Sequence, residues 1–305
     1  METLAPGAGH LVHMPAHTYM RVGDYAGAAR SNALAADADR TYFRETNTSG
    51  GMYDMMYYCH NLHFLAASYS MAGDFAHAKQ AAVEVAARAE PMLHDMAMAE
   101  TYVPYPIFIL VRFHRWDEVL ALPAPSPGMA MTNAFWHFAR GSAFAAKGQP
   151  AKAEVERQIL ATTRQETSAN AEFSFYFNKA QDFLDLAENI LNARIAAAKG
   201  DHTQEISDWE KAVKVQDKLY YGEPPEWFYP VRESLGAALL LNGQAERAEA
   251  VFRADLEQYP RNPHSLFGLL KSLEAQKKSS NVEEVRREFE AAWKNADVPI
   301  EIGDL

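Results

Sequence analysis

Five histidines in the first 63 residues fall into two groups whose spacing suits chemistry. "GHLVHMPAHTYMRVGDY", residues 9 to 25, carries His10, His13 and His17 at intervals of three and four. "YYCHNLHFLAASYSMAGDF", residues 57 to 75, carries His60 and His63. Residues three and four apart share a helix face, so each group directs its ring nitrogens to one side. Imidazoles at such spacing are a metal-ligand arrangement, and the neutral ring suits zinc, copper, iron or nickel. Five candidates exceed what one ion requires. They allow one ligand set plus an acid–base group, or two ions. The competing reading is a metal-free groove for a peptide or partner helix, with histidines as polar contacts and pH sensors.

Other residues bear on the same region. Met14, Met20, Met52, Met55, Met56 and Met71 crowd it, and sulfur ligands would favour copper. Methionine is also a common gap-filler in helical cores. Cys59 is one step from His60 and so points about 100° away on a helix, which favours packing over ligation. Three further side chains are candidates for catalysis. Glu100, in "AETYVPYPIFILVRFHRW", suits a carboxylate ligand or general base, although a helix start favours Glu in any case. His137 lies in "NAFWHFARGSAF", where one register slip moves it between groove and packing. Arg232, with Glu223, Trp227 and Tyr229 in "YYGEPPEWFYPVRESLGAALL", would wall the far side of a groove and clamp a carboxylate by its planar fork. The alternative for that stretch is a rigid Pro-Pro lead into a helix, sealed by aromatic packing.

The elements that must position these groups are helices. Strand-like alternation is almost absent, and Ala-rich helical runs such as "HAKQAAVEVAARA" and "GAALLLNGQAERAEAVF" dominate. They break at short turns of one kind, around Gly23, Gly73, His114, Gly148, Gly200 and Gly243. Small and aromatic residues flank the turns at fixed offsets: Ala16, Tyr19 and Ala28 around Gly23, Ala66, Tyr69 and Ala78 around Gly73, Gly236, Leu239, Ala248, Phe252 and Pro260 around Gly243. This pattern resembles the tetratricopeptide repeat, a helix–turn–helix unit of about 34 residues. Only the interval from 114 to 148 equals that length; the others run from 41 to 52.

The resemblance implies an all-α, TPR-like α-solenoid of about six to seven repeats. Residues 1–305 are expected to form one continuous superhelix, each repeat burying its apolar face only against its neighbours. Its N-terminal half, 8–121, would carry the histidines on a concave face, followed by a C-terminal half, 132–296, and a loosely packed tail, 297–305. In the tetratricopeptide register, His10, His13 and His17 occupy three groove positions of one helix, and His60 and His63 two of the next. Pro15 complicates the first helix, since it removes a donor and restricts Met14. A helix starting only near His13 would leave His10 on the preceding loop.

Composition sets the limits. The 305 residues are 48% hydrophobic and 23% charged, as in a globular protein. A net charge of −11, without a basic stripe, argues against nucleic acid and anionic membranes as partners. One cysteine rules out an internal disulfide framework. No stretch reaches the roughly 18 apolar residues of a membrane helix, and the first residues lack a signal-peptide pattern, so a cytoplasmic protein is the default expectation. A Gly-rich phosphate loop and a nucleophile–base pair are both missing, which leaves phosphoryl and acyl transfer without support.

Longer motifs are more specific. "PGAGHLVHMPAHTYMRVGDY", "YYCHNLHFLAASYSMAG", "VPYPIFILVRFHRWDEVL", "EPPEWFYPVRESLGAALL" and "RNPHSLFGLLKSLEAQKK" together resemble a largely uncharacterised group of bacterial tetratricopeptide-repeat proteins. That group carries a further His-rich segment, similar to H-P-G-A-x-H-Y-x-I-H, ahead of the first motif. The present chain begins nine residues before His10, so a truncated N-terminus is expected. The resemblance implies a histidine site in the groove and supplies no substrate; from the residues themselves, a metal ion with a small molecule or peptide is the expected occupant.

Overall fold

A computed structural model describes residues 5–48, 50–168, 171, 173, 178–278 and 281–305. Among these residues the fold is all-helical, an α-solenoid of seven consecutive helix pairs. The first pair sets α1 (Gly9–His13) and α2 (Pro15–Arg21) against α3 (Tyr25–Thr46). A short turn, α4 (Gly51–Tyr53), and a π-helical turn (Asp54–Tyr58) lead into the second pair, α5 (Cys59–Met71) and α6 (Phe75–Ala89). The third is α7 (Tyr105–Arg112) and α8 (Trp116–Ala121), the fourth α9 (Ala130–Ala146) and α10 (Pro150–Glu166). The last three are α11 (Ala180–Ala198) with α12 (His202–Gln216), α13 (Arg232–Leu241) with α14 (Ala245–Gln258), and α15 (Pro263–Ala275) with α16 (Val282–Ala292).

The recurring Gly-Asp turn explains why the pairs form. Its glycine sits in the left-handed region that ends one helix, as at Gly23, Gly73 and Gly200. The following aspartate caps the next helix: Asp24, Asp74 and Asp201 accept hydrogen bonds from the amides of Gly27, His77 and Gln204. Fully buried alanines at Ala16, Ala28, Ala66 and Ala78 let the paired helices approach closely.

Pro15 occupies the first position of α2, and Met14 remains in the right-handed helical region. Helical backbone therefore runs from Gly9 through Arg21 with one missing ladder bond, and His10 lies on helix, not on a loop.

Two expectations are corrected. The pairs do not bury themselves only against sequence neighbours, because the last pairs also pack on the first two. The Tyr25 hydroxyl donates to the Pro260 carbonyl at 3.1 Å. Gly73, at φ 77°, faces the Trp293 ring so closely that a Cβ there would stand 2.5 Å from it. Farther in, Phe108 stacks on Phe228 with ring centroids 4.6 Å apart. The tail is not loose either. Asp297 accepts from the amides of Phe75 and Ala76 at 2.7 and 3.0 Å, closing the start of α6. Leu305 is buried, and its carbonyl accepts from the Ser234 hydroxyl at 2.9 Å. These last residues thus supply acceptors to α6 and α13.

Candidate metal centre

His13 closes α1 and His17 follows one turn later on α2, so their rings leave the same face. His60 arrives from the start of α5, whose rotation is pinned by a buried bond. Asn61 donates to Asp39 of α3 at 2.8 Å, and the Tyr53 hydroxyl donates to the same carboxylate at 2.8 Å. Asp39 in turn lies under α1, where a Cβ at Gly9 would fall 2.1 Å from its Oδ1, so only glycine fits there. The π-helical turn just before His60 is anchored by Asp54, fully buried and paired to Arg88 at 2.5 Å. Such single π turns recur at functional sites, because they shift the side chains beyond them around the helix.

These elements bring His13, His17 and His60 together, with one ring nitrogen of each lying within 4.8 Å of the others. Ring centroids are 4.7 Å apart for His13–His17, 4.8 Å for His13–His60 and 5.9 Å for His17–His60. Phe64, one turn after His60 and fully buried, meets all three rings edge-on at 5.2 to 5.8 Å and forms an apolar floor.

The outer nitrogens are held by acceptors. Asn32 donates its amide hydrogen to the Ala28 carbonyl at 2.8 Å, which leaves its Oδ1 to accept from His13 Nδ1 at 2.7 Å. Glu223 accepts from His17 Nδ1 at 2.6 Å, and the Tyr221 hydroxyl donates to the other oxygen of that carboxylate. With both Nδ1 atoms donating, His13 Nε2 carries a lone pair, and so does His17 Nε2 when its ring is neutral. They face each other at 2.9 Å. Two lone pairs at that distance repel unless a proton or metal ion lies between them. A carboxylate or amide holding the far nitrogen is the usual support of a metal-bound histidine.

Electrostatics keep His13 and His60 neutral. Burial lowers His13 to about 4, outweighing the Asn32 bond that raises it. His60 is pushed well below the usual imidazole range by burial first and by the neighbouring histidines second. Neutral imidazole is the form that ligates.

The other two histidines stand apart from this triad. His10 stacks on His13 at 5.7 Å and meets Tyr57 at a tilt at 4.5 Å, with its Nδ1 buried and without a hydrogen-bond partner. His63 turns toward the third pair, edge-on to Tyr105 at 4.4 Å and to Tyr102 at 5.5 Å. Burial takes it down to about 3.

The three catalytic candidates are engaged within their own neighbourhoods. Glu100 accepts from the amide and hydroxyl of Thr132 at 2.9 and 3.1 Å, at the start of α9. His137 bonds Glu156 at 2.6 Å beside Arg140. Arg232 lays its fork on Asp217 at 2.6 and 2.7 Å. Trp227 and Tyr229 are buried core residues, so of the proposed far wall Glu223 alone reaches the imidazoles. Cys59 is fully buried with its thiol pushed up by desolvation, the packing role expected of it.

Sequence reasoning missed Asn32, Asp39 and Phe64. Asn32 and Asp39 are polar residues inside the Ala-rich run of α3, a buried-face anomaly that could have marked them. No protein-family model matches the chain, and no curated protein matches it.

Proposed function

We propose that this protein binds a transition metal ion through His13, His17 and His60, with zinc, copper and iron as the candidate ions. One observation carries the reading: the Nε2 atoms of His13 and His17 converge to 2.9 Å beside His60, while Asn32 and Glu223 occupy the opposite nitrogens. Three protein ligands leave a coordination position for water or substrate, as in catalytic rather than structural zinc sites. The metal would supply Lewis acidity or an activated water there. Glu223 would fix the His17 ring and raise its basicity, Asn32 would do the same for His13, and Phe64 would exclude water from below. The resemblance to His-rich bacterial tetratricopeptide proteins agrees with a groove built around such a site.

Elemental analysis of untagged, desalted protein tests this, beside a His13→Ala/His60→Ala variant. Near-stoichiometric metal in the parent and none in the folded variant supports the proposal. Metal in neither, with a melting temperature indifferent to added ions, would sink it and leave the peptide-binding groove.

A further inference from the structure

A row of aromatic rings leads from the triad to the surface. His10 stacks on His13 with ring centroids 5.7 Å apart and meets Tyr57 at 4.5 Å. Tyr57 meets Tyr53 at 5.2 Å, and Tyr53 meets Tyr42 at 5.6 Å. Every step lies within the range of direct ring-to-ring contact. Separate elements assemble the row: His10 comes from α1, Tyr53 from α4, Tyr57 from the π-helical turn and Tyr42 from α3.

Burial alone does not account for these phenols. Tyr42, Tyr53 and Tyr57 are 45%, 37% and 38% exposed, and they lie in contact with one another rather than singly. Tyr53 gives its hydroxyl hydrogen to Asp39 at 2.8 Å. That carboxylate is 1% exposed and is held in place by a second donor, Asn61. A phenol gives up an electron more readily when its proton has an acceptor within hydrogen-bond reach, because the costly radical cation is then avoided. Asp39 is such an acceptor, fixed beside the ring.

We propose that Tyr57, Tyr53 and Tyr42 form a relay that carries one oxidising equivalent from a copper ion in the triad to the surface, with Tyr53 as the residue that holds it. The convergent set is three imidazoles, which suits copper; iron more often takes a carboxylate in the set, and zinc has no second oxidation state. The oxidant is hydrogen peroxide, which takes up two electrons and two solvent protons to give two waters. Cu(I) supplies one electron and becomes Cu(II). Tyr53 supplies the other through Tyr57 and His10 and becomes a neutral phenoxyl, its proton passing to Asp39. A soluble one-electron donor of the phenol or aromatic amine class then returns an electron through Tyr42, and Asp39 returns the proton. The relay rests on the metal reading and narrows its ion to copper. The tyrosine row itself needs no ion.

Two measurements on the full chain test it. In the first, protein loaded with a measured content of copper is reduced with ascorbate, desalted, mixed with hydrogen peroxide and frozen for electron paramagnetic resonance. The parent should give a phenoxyl signal that zinc-loaded protein lacks. Tyr53→Phe and Tyr57→Phe should each lose it with copper at the parental level, since phenylalanine keeps the ring contacts and cannot be oxidised in this way. Tyr42→Phe should keep the radical and slow its decay on adding hydroquinone. In the second, flash-generated Ru(III) tris-bipyridine oxidises metal-free protein from solution, and the phenoxyl signal should again be lost in Tyr53→Phe. Copper-loaded parent without a phenoxyl signal overturns the relay, as does a signal unchanged in Tyr53→Phe in either measurement. A parent that holds no copper overturns the metal reading and the copper-coupled relay with it, while a ruthenium-generated radical lost in Tyr53→Phe would still establish Tyr53 as the preferred radical site.

Discussion

His13 and His17 direct their Nε2 atoms at each other across 2.9 Å, and each has its Nδ1 hydrogen given to an acceptor from another element. A tetrahedral ion with nitrogen ligands at about 2.0 Å separates those ligands by roughly 3.3 Å. The pair is therefore a few tenths of an ångström tighter than a loaded site, a difference small rotations of the two rings supply. Burial lowers His13 to about 4, so at neutral pH its Nε2 is an acceptor or a ligand atom.

The Glu223 contact gives the most direct prediction. Glu223→Ala removes the acceptor that orients His17, and metal affinity should fall by about 10- to 100-fold with the fold retained. Glu223→Gln keeps an acceptor and loses the charge, so its loss should be smaller. Competition against a chelator of known affinity measures both. Equal affinities in all three proteins would remove Glu223 from the site.

Dividing the five histidines is a second prediction. His60→Ala should abolish stoichiometric binding, whereas His10→Ala should leave one ion per chain, because His10 stacks outside the convergent nitrogens. Metal content after desalting reads the difference. The reverse ranking would mean that the triad is drawn from the wrong imidazoles.

How far this was legible in the sequence differs by residue. The i, i+4 spacing of His13 and His17 is local, and helix geometry alone puts both rings together. His60 and His63 look equivalent at that level, yet the Asn61–Asp39 bond and the π-helical turn set α5 so that His60 meets His13 while His63 meets Tyr105. Neither device has a local signature. Glu223 was visible as a groove-wall residue, but its bond to His17 spans 206 positions and depends on the solenoid bringing its later pairs back to the first. Repeat spacing describes each pair and its neighbour. It carries no information on such a return, nor on the tail whose Asp297 and Leu305 close onto α6 and α13.

Acid should destabilise the metal-free protein through its buried histidines, and the sign follows from proton counts. His13 and His63 sit at about 4 and about 3 in the folded chain, against about 6.5 when unfolded. Between those values the unfolded chain binds protons that the folded one does not, so stability is lost as pH falls from about 7. For His13 alone the full shift corresponds to about 3 kcal/mol. Asp255 works in the opposite direction, being raised by burial and by Glu233. The clean quantity is thus the difference between the parent and His63→Phe in urea midpoints at pH 7.5 and pH 5. The parent should lose more on acidification. A variant that loses as much would show that His63 is not held neutral by the fold.

Arg112 and Glu233 form the buried ion pair that joins the third helix pair to the sixth, and both side chains are almost fully buried. Glu233 has a second donor, since Asn262 gives it a hydrogen bond at 2.7 Å. Arg112 has less support: its Nε and Nη2 are buried with no hydrogen-bond partner, and its guanidinium lies over the face of Tyr229 at 5.3 Å. Desolvating two charges this deeply offsets most of their attraction, so the pair adds little net stability while each member depends on the other. Arg112→Met should therefore cost about 3 to 5 kcal/mol by stranding the Glu233 carboxylate. Adding Glu233→Gln should restore much of that loss, because the amide removes the stranded charge and can still accept from Asn262. Chemical unfolding of the parent, both single variants and the double variant completes the cycle. Strictly additive losses would show that the two charges are not coupled, and would leave the aromatic stack of Phe108 on Phe228 as the contact that holds these pairs together.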